Sequence, residues 1–172
     1  NTASLKGSDY TGCISGQSYG YIRSSYAKGS ISGDTYVGGI AGSGMVVTDC
    51  RSMVKLSGSE RLGAVLGFAE KNHTEIEHPV FSNVYACVDG DPGGVDGISY
   101  EAAAYSMELE DFLSLPDIPK RFLKVTVSFV FADGTAQEVE LPSGTGLTEE
   151  QIPQLPAMDG YSGRWDGLED IN

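Results

Sequence analysis

Ile22-Arg-Ser-Ser-Tyr-Ala-Lys-Gly-Ser-Ile-Ser-Gly-Asp-Thr-Tyr-Val-Gly-Gly-Ile-Ala-Gly42 returns 25 residues later, without a gap, as Val47-Thr-Asp-Cys-Arg-Ser-Met-Val-Lys-Leu-Ser-Gly-Ser-Glu-Arg-Leu-Gly-Ala-Val-Leu-Gly67. Ser32, Gly33, Gly38 and Gly42 fall on Ser57, Gly58, Gly63 and Gly67, while Ile22, Ile31, Val37 and Ile40 fall on Val47, Leu56, Leu62 and Val65. Such a period marks an array of stacked units, each too small to bury its own apolar face. Arrays of this kind serve as scaffolds or binding surfaces more often than as catalytic centres.

The pattern decays in both directions. Upstream, Tyr10, Gly12, Ile14 and Gly16 match Tyr36, Gly38, Ile40 and Gly42 at an offset of 26. Downstream, an insertion from Glu70 to Pro79 precedes a weaker fourth unit at Phe81, Val84 and Tyr85, which ends in the Gly- and Asp-rich run Asp89–Gly97. The repeat thus covers about residues 5–98, and the sequence reads as a piece of something longer. Within a unit the apolar residues come in short bursts bounded by glycine, which predicts strands joined by tight turns. Val37 and Ile40 have opposite parity, so either the chain bends at Gly38-Gly39 or both faces of that strand are covered. Stacking then predicts Ile31 on Leu56 and Ile40 on Val65, all four facing inward.

The 172 residues are 40% hydrophobic and 20% charged, a globular balance, with 23 glycines that point to turns and close backbone packing. The net charge of -13 is uneven: residues 1–70 carry six Lys/Arg against five Asp/Glu, and residues 71–172 carry five against nineteen. So acidic a surface repels nucleic acid and anionic lipid, and the chain lacks the basic stripe that nucleic-acid binders use. No apolar stretch approaches a membrane span and no signal peptide is visible. Cys50 shares a column with Ser25 and Val84 and reads as a buried thiol, and no Cys/His spacing suggests zinc.

The run Tyr36-Val-Gly-Gly-Ile-Ala-Gly42, preceded by Ser24-Ser-Tyr-Ala-Lys-Gly-Ser-Ile-Ser-Gly33, resembles the GLUG repeat. Asp49-Cys50 and Asn83-Val84-Tyr85-Ala86 keep further elements of that pattern, while Gly39 becomes Ala64 and Ala41 becomes Leu66 in the next unit. The resemblance implies a β-solenoid module of a large bacterial surface protein, a class that includes regions accompanying IgA-cleaving peptidases.

After the array, Glu108–Leu113 predicts a short helix, and Asp117-Ile-Pro-Lys reads as a linker. Leu123, Val125, Val127, Phe129 and Phe131 then alternate, Asp133-Gly134 supplies a hairpin turn, and Gln137, Val139 and Leu141 resume on one face. Thr148–Gln151 is a capping box, and Gly160–Trp165 offers a last strand carrying the single Trp. This segment, about 122–167, resembles the Listeria-Bacteroides repeat and the related B repeats of internalins, which implies a small β-grasp-like surface module. The expected fold is therefore mainly β: a β-solenoid-like array with a terminal helix over residues 1–115, a linker over 116–121 and a β-grasp-like module over 122–172.

Chemistry is sparse. His73 and His78 are five residues apart, whereas the zinc-peptidase helix needs a spacing of four with Glu directly after the first His. Counted from Asp89, the loop to Asp96 places Gly93 and Tyr100 where a calcium loop of the EF-hand type needs oxygen ligands, so a turn is the default and calcium stays open. The stacked polar pairs are Arg23 over Thr48, Ser24 over Asp49, Asp34 over Ser59 and Thr35 over Glu60, with no acid on an acid and hence no glycosidase-type couple. No Gly-x-Ser-x-Gly elbow sits between a strand and a helix. Neither an enzyme, a metal nor a cofactor is expected.

The constructive site expectation rests on tyrosines at positions 10, 19, 21, 26 and 36, with Tyr21, Tyr26 and Tyr36 as the binding residues. Aromatic rings on a rigid β surface stack on sugars or bury into protein partners. The expected function is a non-catalytic, extracellular segment of a bacterial cell-surface protein, a stalk or display scaffold or an adhesin for a host-surface protein or glycan, working beside other domains of the same polypeptide. The alternatives are an accessory region of a secreted IgA-protease-like peptidase and a carbohydrate-binding module.

Overall fold

The computed structural model describes residues 3–70, 80–87, 104–157 and 162–168. The fold is mainly β, with two compact units, Asn1–Ile118 and Pro119–Asn172. Each of the first three repeats contributes one strand position to each of three parallel sheets. The first repeat supplies β1 (Ala3–Lys6), β2 (Asp9–Gly12) and β3 (Ser15–Arg23); the second supplies β4 (Tyr26–Ser32), β5 (Thr35–Gly38) and β6 (Ala41–Thr48). The third supplies β7 (Arg51–Ser57), β8 (Glu60–Gly63) and a split third strand, β9 (Leu66–Ala69) and β10 (Val80–Ser82). β11 (Val84–Ala86) and β12 (Ala104–Ser106) then extend the first sheet, whose order is β1-β4-β7-β11-β12.

Strand pairing reproduces the sequence offset. Ile31 lies opposite Leu56, and the Ile40 N–H donates to the Val65 carbonyl at 2.9 Å. Ile31, Ile40 and Val65 are buried, and Leu56 packs half-buried against the same core. The change of offset from 26 to 25 has a local cause: Ser15–Ser18 of β3 pair with β6 at +26, Tyr21–Arg23 pair at +25, and a bulge between Ser18 and Tyr21 absorbs the extra residue. Val37 and Ile40 are both buried because the chain turns after β5: Val37 faces the core from that strand and Ile40 from the bend that leads into β6. β9 pairs with the first half of β6 and β10 with its end, so the insertion after Ala69 interrupts a strand position rather than a turn. Phe81 closes the third repeat; the fourth begins at Val84, with Tyr85 opposite Arg51.

The repeat glycines are steric requirements. A Cβ on Gly42 would overlap the Tyr10 carbonyl carbon and lie 2.6 Å from Thr11 N, and Gly67 meets the Tyr36 carbonyl carbon in the same way. Tyr10 and Tyr36 stand at matching positions with φ of 53° and 56°, left-handed geometry that bulky residues seldom adopt. Cys50 is fully buried and free, with its thiol pushed above its ordinary pKa by burial.

The unit ends with α1 (Leu109–Leu113), whose Phe112 is fully buried. Asp117, read from sequence as the start of a linker, instead bonds the buried Arg51 at 2.5 Å and so belongs to the repeat unit. The reason is a buried guanidinium 66 residues away that needs an anion.

In the second unit, β13 (Lys124–Val130) and β14 (Ala136–Pro142) form an antiparallel hairpin with Val127 opposite Val139. Gly134 takes a φ of 84° in its turn, and the Gln151 side chain accepts the Thr148 N–H at 2.9 Å as a capping box requires. The strand expected at Gly160–Trp165 is absent among the described residues 162–168. Side-chain contacts hold Trp165 instead: its ring meets Phe129 and Phe131 edge-on at 5.0 and 5.1 Å, and its Nε1–H donates to the Pro153 carbonyl at 2.9 Å. Trp165→Ala is expected to destabilise this unit by about 3 kcal/mol, the low end for removing a large aromatic ring that is only half-buried. Near-UV dichroism followed through a thermal melt checks it, and the repeat unit's transition should stay in place.

Candidate ligand-binding face

Two tight turns per repeat send successive strands to different sheets, and this disperses the expected binding residues. Tyr21 lies on β3, Tyr26 on β4 and Tyr36 on β5, one in each of the three sheets. Tyr21 is 61% exposed with the Arg23 guanidinium 4.3 Å from its ring centre. Tyr26 lies opposite Arg51, which lies opposite Tyr85, which in turn stacks on Tyr105 at 5.3 Å. Tyr26 thus belongs to a structural column of the first sheet.

Tyr36 sits in an aromatic cluster. Its ring stacks on Tyr10 with centres 4.5 Å apart and planes 1° from parallel, and Phe68 meets its edge at 5.7 Å. Arg61 lies 5.5 Å from the Tyr36 centre and 5.2 Å from that of Phe68. Gln17 Nε2 donates to Glu70 Oε1 at 3.1 Å. Desolvation, with Tyr36, the Glu70 carboxylate and Tyr19 nearby, pushes the Tyr10 phenol above its ordinary pKa and keeps it a donor. Tyr10 is 38% exposed and Tyr19 49%.

The cluster therefore joins an aromatic platform to an amide, a carboxylate and phenol hydroxyls. Such a set stacks on the C–H face of a sugar ring and hydrogen-bonds its hydroxyls. Tyr10 and Tyr36 were legible as a matched pair in the repeat, and Arg61 occupies the same position in the third unit. Phe68, Gln17 and Glu70 carried no sequence signal, because they reach the cluster from another sheet.

Gly16-Gln-Ser-Tyr-Gly20 carries the letters of a nucleophile elbow but runs inside β3 and on into Tyr21, with no helix after it. No group of three metal-ligating side chains occurs among the described residues. His73, His78 and the Asp89–Asp96 loop lie outside the described residues. No helix among the described residues is long and apolar enough to cross a membrane. Among known proteins, no family model, no curated protein and no solved structure matches this chain.

Proposed function

We propose that this chain is a non-catalytic, extracellular segment of a bacterial cell-surface protein, in which a short GLUG-like β-solenoid and a β-grasp-like module extend and display neighbouring domains. The observation that carries the reading is the in-register parallel stacking of repeats 25 or 26 residues apart, with Tyr10, Tyr36 and Arg61 at one position. A stack of that kind transmits position along its axis and needs no bound group to hold it. Antibodies against the repeat unit should label intact cells of the parent organism. Labelling only after permeabilisation would refute the extracellular placement.

A second reading, a glycan-binding module, is favoured by the Tyr10, Tyr36, Gln17 and Glu70 cluster. Under it, an immobilised glycan panel should retain the chain equally at low and high salt, since ring stacking is screened far less than charge pairing. Tyr10→Ala together with Glu70→Ala should remove retention on the order of a hundredfold, as expected for one stacking ring and one charged hydrogen bond. Tyr21→Ser, on another sheet, should leave it unchanged. Retention that follows Tyr21 instead would move the site.

A further inference from the structure

The two strands of the C-terminal hairpin present very different outer edges. The Phe131 N–H donates to the Thr135 carbonyl and the Ser143 N–H to the Leu123 carbonyl, so both ends of the ladder are hydrogen-bonded at odd-numbered residues of the β13 side. Antiparallel pairing alternates, which directs the N–H and C=O groups of Thr126, Ser128 and Val130 away from β14. Among the described residues no strand lies on that side. From Val125 to Val130 the strand is Val-Thr-Val-Ser-Phe-Val, without charge, Pro or Gly, and Val130 is 62% exposed. Only Lys124 at its start is charged.

β14 is guarded where β13 is not. Its outward-directed positions are Ala136, Glu138, Glu140 and Pro142: two carboxylates and one residue with no N–H to give. Charged residues and Pro are the usual means of blunting an edge strand.

We infer that the outer edge of β13 pairs antiparallel with the same edge of a second copy of this chain. Charge selects the occupant and the edge together. A pair through β14 would bring Glu138 and Glu140 of two copies opposite one another, in molecules that each carry a net charge of -13. A pair through β13 places uncharged strands at the two-fold axis and moves the two acidic strands three spacings apart, about 14 Å, beyond the screening length at physiological salt. Centred on Ser128, it sets Thr126 opposite Val130 and Val127 opposite Phe129, so the apolar faces of both hairpins run on across the axis. The contact is isologous, and each outward group is used twice.

Sedimentation of the whole chain over a concentration series should show its mass rise from 18.2 kDa toward twice that value, and more readily at higher salt. Ser128→Pro removes an outward N–H and leaves the backbone bonds to β14 in place, while the exposed Ser128 hydroxyl bond to Glu138 is lost in Ser128→Pro and Ser128→Ala alike. The proline variant should weaken the dimer on the order of tenfold to a hundredfold, for two lost hydrogen bonds. Ser128→Ala should dimerise normally. Trp165 fluorescence, which reports packing on Phe129 and Phe131, monitors the fold. Should Ser128→Pro disturb it, Thr126→Lys with Val130→Lys, both on the solvent side, tests the same edge and should give a monomer. A monomer at every concentration, or a dimer that persists in a natively fluorescent variant of either kind, overturns the inference.

Discussion

Arg51→Ala is expected to destabilise the repeat unit by about 3–4 kcal/mol, and Arg51→Met by about half as much. Arg51 is 2% exposed and its guanidinium ties three parts of the unit together. Nη1 donates to the carbonyls of Cys50 at 2.9 Å and Asn83 at 2.6 Å, Nη2 donates to Asn83 Oδ1 at 3.1 Å and to Asp117, and Tyr85 lies under the group at 4.8 Å. Removing one partner of a buried ion pair usually strands the other, yet Asp117 is 45% exposed and rehydrates readily. The loss therefore comes mainly from the cavity and from carbonyls left without donors. Methionine fills the first and not the second, which sets the order of the two variants. Thermal melts should show a fall on the order of 15 °C for the alanine variant in a unit of this size. Equal and small effects would mean that the terminal segment is held by Phe112 alone.

Arg51 also marks where the sequence stops being legible. The offset of 25 foretold the strand register, because equivalent side chains must stack for apolar faces to be buried. It even carried the bulge in β3, as the change from 26 to 25. Arg51, by contrast, occupies the place of Tyr26 in the preceding repeat, and its anion Asp117 lies in a Pro-rich stretch that composition reads as a linker. Pairings between a repeat and the non-repeating segment after it have no period. The distribution of the tyrosines over three sheets was hidden for a different reason. Tyr26 and Tyr36 belong to one repeat but sit on strands separated by a turn, and the periodicity that aligns residues between repeats says nothing of which sheets meet within one. The hairpin was legible from alternation; the placement of Trp165 by ring contacts and the Pro153 carbonyl, rather than by a strand, was not.

Gly42→Ala should be strongly destabilising, while Gly20→Ala should be close to silent. Both glycines lie within the third sheet, on β6 and β3. Around Gly20 a Cβ meets nothing within 4 Å, so alanine there changes stability by less than about 1 kcal/mol, through the unfolded chain alone. At Gly42 the new Cβ overlaps the Tyr10 carbonyl carbon and lies 2.6 Å from both Gly16 O and Thr11 N. All three are backbone atoms of the first repeat, so no side chain can swing aside; the first repeat must lift off the second. Overpacking of this rigid kind costs about 3 kcal/mol or more. The damage also reaches the candidate ligand face, because the displaced atoms carry Tyr10, whose ring stacks on Tyr36. Urea titration should give a lowered midpoint for Gly42→Ala, with any glycan retention lost under conditions where the second unit's Trp165 signal is still native. A Gly42→Ala protein as stable as Gly20→Ala would mean that the second and third sheets do not approach as closely as their backbones indicate.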